Sequence, residues 1–547
     1  FAESFYNLGN LYSKKEDHDA ALKNYYKAID HNPSLVKAYS NLGLLYFKIG
    51  KIKDCLKAYQ KCFSLCSTFK ILWNNISFPL FCLKQTNLDL YYETVKNLSD
   101  LSTIEAQIKS KVLNYKINRG SSSLSIYFTK VIDQINKKKN LVIQNPQFII
   151  KSENQAPPEP KNIFALLQTG RAGTGLLHSL IDGHSQIATL PSIYFSQFFD
   201  SSIWEKISSE GWDKMVDRFI DTYPVLFDAS ASDPILSISG AMLRDIGKEE
   251  GLCNVGENRD EVLKVDKSIF RSELSRLMKT CKKIDALSFF NLVHIAYEVA
   301  VYGRSAKQAL FYHIHNPDTY SQINFMRLAP NAKWIMMIRE PVQSCESWIK
   351  LVYKKESYSR LVSRIFSMLY DIDNFIFRKH ESIGLRLEDL KLKPEQTVRA
   401  LCKWMEIVEE PGLYQMTAQG KKWWGDPSSP DFGKKGMDPF DQTSIKRKVG
   451  TVLSQKDQYI LKTLFYPFRV RFNYEEENQG QFLKDLKEIR PMIDQMFDFE
   501  KNLIGNKTKK EFMASGPYQY LRSGLIERWN TLNELHTFPD MIKPLEI

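Results

Sequence analysis

The 547 residues are 43% apolar and 25% charged, an ordinary balance for globular protein of two or three domains. Lysine and arginine (75) outnumber aspartate and glutamate (63) for a net charge of +12, which suits an anionic ligand and equally an ordinary basic surface. No apolar run approaches the roughly 18 residues of a membrane span. The eight cysteines include no CxxC pair, so they are read as reduced core thiols of a cytosol-like compartment.

The chain opens with a repeat of 34 residues. Leu8, Gly9 and Tyr12 recur as Leu42, Gly43 and Tyr46. Ala21, Leu22, Tyr25 and Ala28 recur as Cys55, Leu56, Tyr59 and Cys62, with Asn32-Pro33 at the junction. Period and residue types resemble the tetratricopeptide repeat, a helix-turn-helix unit that stacks into a superhelix and usually binds peptides or proteins. A third copy, about 71–99, is degraded: Ser77 takes the glycine position and Glu93 the second tyrosine position. Phe1 falls inside a repeat, so the N-terminus is expected to be incomplete and a targeting signal to be out of view.

Residues 101–135 have an amphipathic helical pattern and complete an expected helical domain, 1–135. Lys137–Asn140 and the proline-rich Asn154–Pro160 mark a linker, 136–160. Then comes an apolar run of strand length, Ile163–Leu167, followed by Gly170, Arg171, Ala172, Gly173, Thr174 and Gly175. Leu176, Leu177, Leu180 and Ile181 recur behind them at helical spacing. A strand feeding a helix through a glycine turn gathers backbone N–H groups and a positive helix end at one point, an anion site. Leu176 and Leu177 stand where a nucleotide hydrolase needs Lys and Ser/Thr, and Arg171 supplies charge from inside the loop instead.

A mostly helical insertion, about 201–307, is expected to roof the site. Strand and helix then alternate. Ala309–Ile314, Lys333–Ile338 and Gly384–Glu388 read as strands, the latter two followed by helices through Tyr353 and over Pro394–Met405. Such alternation predicts a parallel sheet with ligands at the carboxyl ends of its strands. The glycine loop, His315 and Arg339 all fall at such ends. Arg339 caps its strand, and Ser347 lies about two helical turns further on, so the pair can hold one phosphate. Past Asn473 the chain reads as a charged helical tail, 476–547.

Together these motifs resemble the sulfotransferases that use 3′-phosphoadenosine-5′-phosphosulfate. Thr169–Gly175 is similar to their 5′-phosphosulfate loop, P-[KR]-S-G-T-[TS], and Arg339…Ser347 to their 3′-phosphate motif. Leu385–Glu395 with Ala400–Trp404 is similar to their YEDL…P…T…L..FL segment. The resemblance spans about 161–475. It departs at Gly170 for Pro, Ala172 for Ser and Gly175 for the second Thr. It implies a P-loop parallel sheet flanked by helices, an α/β fold preceded by the all-α tetratricopeptide superhelix. It implies sulfuryl transfer to a hydroxyl or amine without a metal. Arg171 would neutralise charge on the leaving bridging oxygen. Thr174 and the N–H groups of Gly173–Leu176 would hold the 5′-phosphate, and Arg339 and Ser347 the 3′-phosphate.

His315 in His313-Ile-His315-Asn-Pro317 is similar to the family's base-bearing K-T-H-x-P segment, and a strand-end imidazole titrates near working pH. A carboxylate on the insertion is the competing base. The family's late basic loop is matched by Lys446, Arg447 and Lys448, with Lys434–Gly436 as competitor. Trp423 and Trp424 suit an acceptor wall or a core plug. The acceptor can be a glycan, a peptide or a small alcohol, with the repeats recruiting it or a protein partner. No nucleic-acid module and no membrane span are seen, and a cytoplasmic setting is expected. A P-loop kinase is disfavoured by the missing Lys-Ser/Thr. A repeat adaptor with a decayed nucleotide domain is the remaining alternative.

Overall fold

The structure, a computed structural model, describes residues 1–101, 103, 106, 109–110, 113, 142–147, 160–168, 171–191, 195, 197–232, 245–303, 307–314, 319–355, 357–371, 381–427, 432, 438–505, 507–535 and 542–547. The expected helix over 101–135 and the linker therefore lie mainly outside the described residues. Two compact units interleave along the chain. The first takes 1–135, 340–373 and 448–539, and the second takes 136–339, 374–447 and 540–547. No helix among the described residues is long and apolar enough to cross a membrane.

In the first unit the repeats form the helix pairs Ala2–Lys14 with His18–His31 and Val36–Lys48 with Ile52–Leu65. The 34-residue spacing has a steric cause. A Cβ on Gly9 would lie 2.5 Å from the Tyr25 ring, and one on Gly43 would lie 2.3 Å from the Tyr59 ring. Each glycine thus admits an aromatic side chain against its own backbone. The degraded copy still forms helices Lys70–Asn75, Ser77–Thr86 and Leu88–Ser99. The long helix Gly516–Leu535 packs on this copy. Phe81, Phe366 and Tyr520 meet ring to ring, and Glu527 accepts from Lys84 Nζ at 2.8 Å and Gln85 Nε2 at 2.6 Å.

The second unit holds ten short strands among the described residues: β1 (Ile143–Gln144), β2 (Asn162–Gln168), β3 (Ile187–Thr189), β4 (Lys283–Ile284), β5 (Ala309–His313), β6 (Lys333–Ile338), β7 (Ser382–Arg386), β8 (Thr417–Ala418), β9 (Lys421–Lys422) and β10 (Lys543–Pro544). Six form one sheet in the order β10-β7-β6-β2-β5-β3, parallel at every pairing. Central β2 is flanked by β5 and β6, with Leu166 opposite both His313 and Ile335. Phe164 to Leu167 are buried, as a strand covered on both faces requires. Helices Thr174–Ile181 and Pro394–Met405 cover the sheet through Leu177, Leu180, Val398 and Leu401.

The insertion is largely helical: Ser201–Ser208, Met215–Thr222, Lys267–Lys279 and Ala286–Tyr302. Asp266 and Asp285 cap the last two by accepting from the N–H groups of Ser268 and Ser288. An aromatic core of Phe195, Phe219, Phe270 and Phe290 joins these helices to Tyr312 on β5.

Candidate functional site

β2 delivers the chain to the glycine loop at the carboxyl edge of the sheet. Thr169 and Gly170 lie outside the described residues. Gly173 adopts φ +83°, ψ 32°, and forms the N-cap of helix Thr174–Ile181. A side chain here would be strained by that φ, and its Cβ would lie 2.9 Å from Leu387 Cδ1. Glycine thus lets the turn close against Leu387, and the first N–H groups of the helix have no intrahelical partner at its N-terminus. Ala172 is fully buried among the apolar core residues. Thr174 is buried, and Arg171 and Gly175 are half-buried.

Arg339 follows β6 directly and is 5% exposed. Its Nη1 donates to the Arg171 carbonyl at 3.4 Å and its Nη2 to the Ser444 carbonyl at 2.6 Å. Lys391 Nζ holds the same late turn through the carbonyls of Asp441 at 2.8 Å and Pro439 at 3.3 Å. The structure thus brings together Arg171, Arg339 and the turn Gln442–Ser444, which runs on into exposed Lys446 and half-buried Arg447. Lys434–Gly436 lie outside the described residues.

Ser347 and Lys448 belong to the first unit. Ser347 is half-buried on helix Pro341–Lys355, and Lys448 is exposed. Within that unit Glu346 grips the segment after Lys448. It accepts from the N–H groups of Gly450 at 3.1 Å, Thr451 at 2.8 Å and Leu453 at 3.2 Å. Burial alone would raise its pKa, but the Thr451 hydroxyl and these N–H groups outweigh burial and bring it down to about 2. The sequence reading missed Glu346. Its partners are about 104 positions away, and nothing local signals them.

His315 lies outside the described residues. His313 ends β5 and is buried, with its ring centroid 5.4 Å from that of His178. His178 sits one turn beyond Thr174 on the loop helix and was also missed. Burial holds its imidazole below the usual pKa, against the opposing pull of Asp182 and a backbone hydrogen bond with Leu190. His184 is buried, with Nε2 2.9 Å from the Val408 carbonyl and Nδ1 accepting from Gln186 N–H. That geometry is structural.

The opposite, amino edge of the sheet carries a separate charged network. The Asp182 carboxylate accepts from the Thr189 and Thr417 hydroxyls, both at 2.8 Å, and from Gly420 N–H at 3.0 Å. Lys307 Nζ donates to the His184 and Ile187 carbonyls and lies 3.2 Å from Glu298 Oε2. Burial raises the Glu298 carboxyl to about 7 despite the opposing Lys307 charge.

Residues 2–35 and 36–69 each match the tetratricopeptide repeat, and residues 167–411 match the sulfotransferase family. Among curated proteins, Hsp70-Hsp90 organizing protein 3 of Arabidopsis thaliana is 32% identical over 98 residues, 18% of each chain. Hsp70-Hsp90 organizing protein 1 of Glycine max is 34% identical over 91 residues, 16% of each. The chain thus spans less than a fifth of the length of these relatives. Among solved structures, the sulfotransferase domain of the Synechococcus PCC 7002 olefin synthase is 15% identical, with 58% of this chain and 98% of that one covered and a TM-score of 0.31. The chain carries two tetratricopeptide repeats and, in its α/β part, a sulfotransferase-family domain.

Proposed function

We propose that this chain of repeats and sulfotransferase-family domain moves a sulfuryl group from 3′-phosphoadenosine-5′-phosphosulfate to a hydroxyl or amine. The observation that carries the reading is the double hold of Arg339 on the carbonyls of Arg171 and Ser444. It sets a strand-end cation, a glycine loop and a late basic turn close together on the carboxyl edge, which supports binding of an anion with two phosphate ends. The left-handed turn at Gly173, which caps helix Thr174–Ile181, is the cradle for the 5′ end.

The donor brings the activated sulfuryl group, and the chain's residues orient and neutralise it. The N–H groups from Gly173 to Leu176 and the Thr174 hydroxyl hold the 5′-phosphate. Gly170, Ala172 and Gly175 contribute backbone alone. Arg171 offsets negative charge as the leaving group departs. Arg339 binds the 3′ end with Lys446 and Arg447. Ser347 and Lys448 join these assignments on the motif alone. His315 takes the acceptor's proton. No metal takes part. The repeats recruit the acceptor or a protein partner, and the acceptor is a glycan, a peptide or a small alcohol. The eight free cysteines support a cytoplasmic setting.

Calorimetric titration with adenosine 3′,5′-bisphosphate, run beside ATP plus magnesium, tests the reading. Micromolar or tighter bisphosphate binding with weak ATP binding is expected. No bisphosphate binding would overturn it in favour of a repeat adaptor.

A further inference from the structure

Two segments far apart in sequence clasp each other beside the glycine loop. One is the insertion stretch 245–264 and the other the β8–β9 hairpin with its following tryptophans. Lys421 Nζ meets Glu261 at 2.5 Å and Lys422 Nζ meets Glu257 at 3.0 Å. Gly256 N–H donates to the Lys422 carbonyl at 2.9 Å. Trp424 is buried, donates Nε1–H to the Gly256 carbonyl at 2.6 Å, and has Arg259 and Lys422 over its ring at 4.0 and 4.4 Å. It anchors the clasp.

Trp423 is different. It is half-buried, and both its backbone and its indole N–H are held. Its backbone N–H donates to the Met416 carbonyl at 2.9 Å and its Nε1–H to the Glu250 carbonyl at 3.0 Å. Gly251 has φ +72°, and a Cβ there would lie 2.4 Å from the Gly425 carbonyl oxygen, so the backbone closes tightly around the ring. The far edge of the indole reaches the loop helix: a Cβ on Gly175 would lie 3.4 Å from Trp423 Cη2. Gly175 is the second residue of that helix, inside the ring of N–H groups assigned to the 5′-phosphate. It is also where the loop lacks a hydroxyl. An indole edge carries the positive end of the ring quadrupole, so it can face an anion as well as exclude water.

We infer that Trp423 is a positioning residue of the donor site: its indole edge closes the side of the phosphosulfate cradle that Gly175 leaves open and keeps water from the sulfuryl group. The inference rests on the donor reading above. In productive transfer the acceptor oxygen bonds to sulfur, the bond from sulfur to the bridging oxygen breaks with its electron pair passing to the 5′-phosphate, and the acceptor proton goes to the base. When water enters instead, its oxygen takes the acceptor's place, its proton goes to solvent, and sulfate and adenosine 3′,5′-bisphosphate are released.

The test compares wild type, Trp423→Ala and Trp423→Phe with adenosine 3′,5′-bisphosphate and with the intact donor in the absence of acceptor. Trp423→Ala is expected to weaken bisphosphate binding several-fold and to raise acceptor-free sulfate release on the order of tenfold. Trp423→Phe, shorter but still a ring, falls between and serves if the alanine variant does not fold. A third readout needs no donor. Gly175→Val should lower the melting temperature by several degrees in wild type and by less when Trp423 is alanine. If wild type ignores the bisphosphate, the donor reading itself fails. If wild type binds it and both Trp423 variants match wild type in affinity and sulfate release, this inference alone is overturned. Equal melting losses for Gly175→Val in both backgrounds would remove the packing on which it stands.

Discussion

The two edges of the central sheet use charge in opposite ways. At the amino edge Asp182, Glu298 and Lys307 close on one another, on hydroxyls and on backbone, within a few residues of strand starts. At the carboxyl edge Arg339 donates to the backbone carbonyls of Arg171 and Ser444, and Lys446 and Arg447 stand just beyond. A buried ion pair holds its neighbours in register. A guanidinium on carbonyls can exchange them for an anion, because a bidentate pair of opposite charges adds Coulomb attraction that a neutral carbonyl lacks. On the function proposed above, the first edge stays closed and the second accepts the ligand.

Substitutions that separate stability from binding would break or sharpen that contrast. The largest effect is expected from Arg171→Ala: turnover falls about 10³-fold, as on removal of a transition-state donor, with the melting temperature nearly unchanged. Wild-type rates from that variant would remove Arg171 from the mechanism. Lys307→Met, at the other edge, should cost about 3 kcal/mol in denaturant unfolding by stranding Glu298, yet leave bisphosphate affinity within a factor of about two. A matching loss of affinity would erase the division between the edges.

Arg339→Ala should weaken adenosine 3′,5′-bisphosphate about 10- to 100-fold, the worth of one or two charge-assisted bonds, measured calorimetrically. Unchanged affinity would refute its assignment. The smallest effect is a pH slope. The folded Glu298 carboxyl, raised to about 7 by burial, binds its proton more tightly than the unfolded one near 4.5. Its contribution to stability is therefore full below about 4.5 and fades as pH rises through about 7. In Glu298→Gln the fall in unfolding free energy across that window should shrink by at most about 3 kcal/mol. An identical slope would show that the folded carboxyl titrates like the unfolded one.

Much of this architecture was legible because its signals are local. Gly9 and Gly43 repeat at 34 residues because each faces the ring of a tyrosine 16 positions on, so one steric need recurs in register. β2, β5 and β6 were visible as apolar runs, whereas β7 runs over Ser382–Arg386 and not Gly384–Glu388, because helix Leu387–Leu392 begins there. β3 and β10, at three and two residues, are too short to show a period and exist by pairing with longer neighbours. The loop and Arg339 stand out in the sequence by motif alone. The hold of Arg339 on Ser444 spans 105 positions and the grip of Glu346 on Gly450 spans 104. The clasp around Trp423 spans more than 160. Such partners are chosen by the folded sheet, and no spacing rule in the chain announces them. The interleaving of the two units escaped the reading for the same reason.

The edge strand β10 pairs Lys543 with Ile383 and Pro544 with Gly384, and Leu545 N–H donates to the Gly384 carbonyl. Its position carries a consequence for synthesis. The ribosome finishes β7 long before it reaches these residues. At ordinary elongation rates the outer edge of β7 waits on the order of ten seconds for its neighbour. During that interval a nascent chain presents a row of unpaired backbone groups to any strand nearby, including one on the next polysome-bound copy. A chaperone, or fast folding of the intervening helices, has that interval to guard.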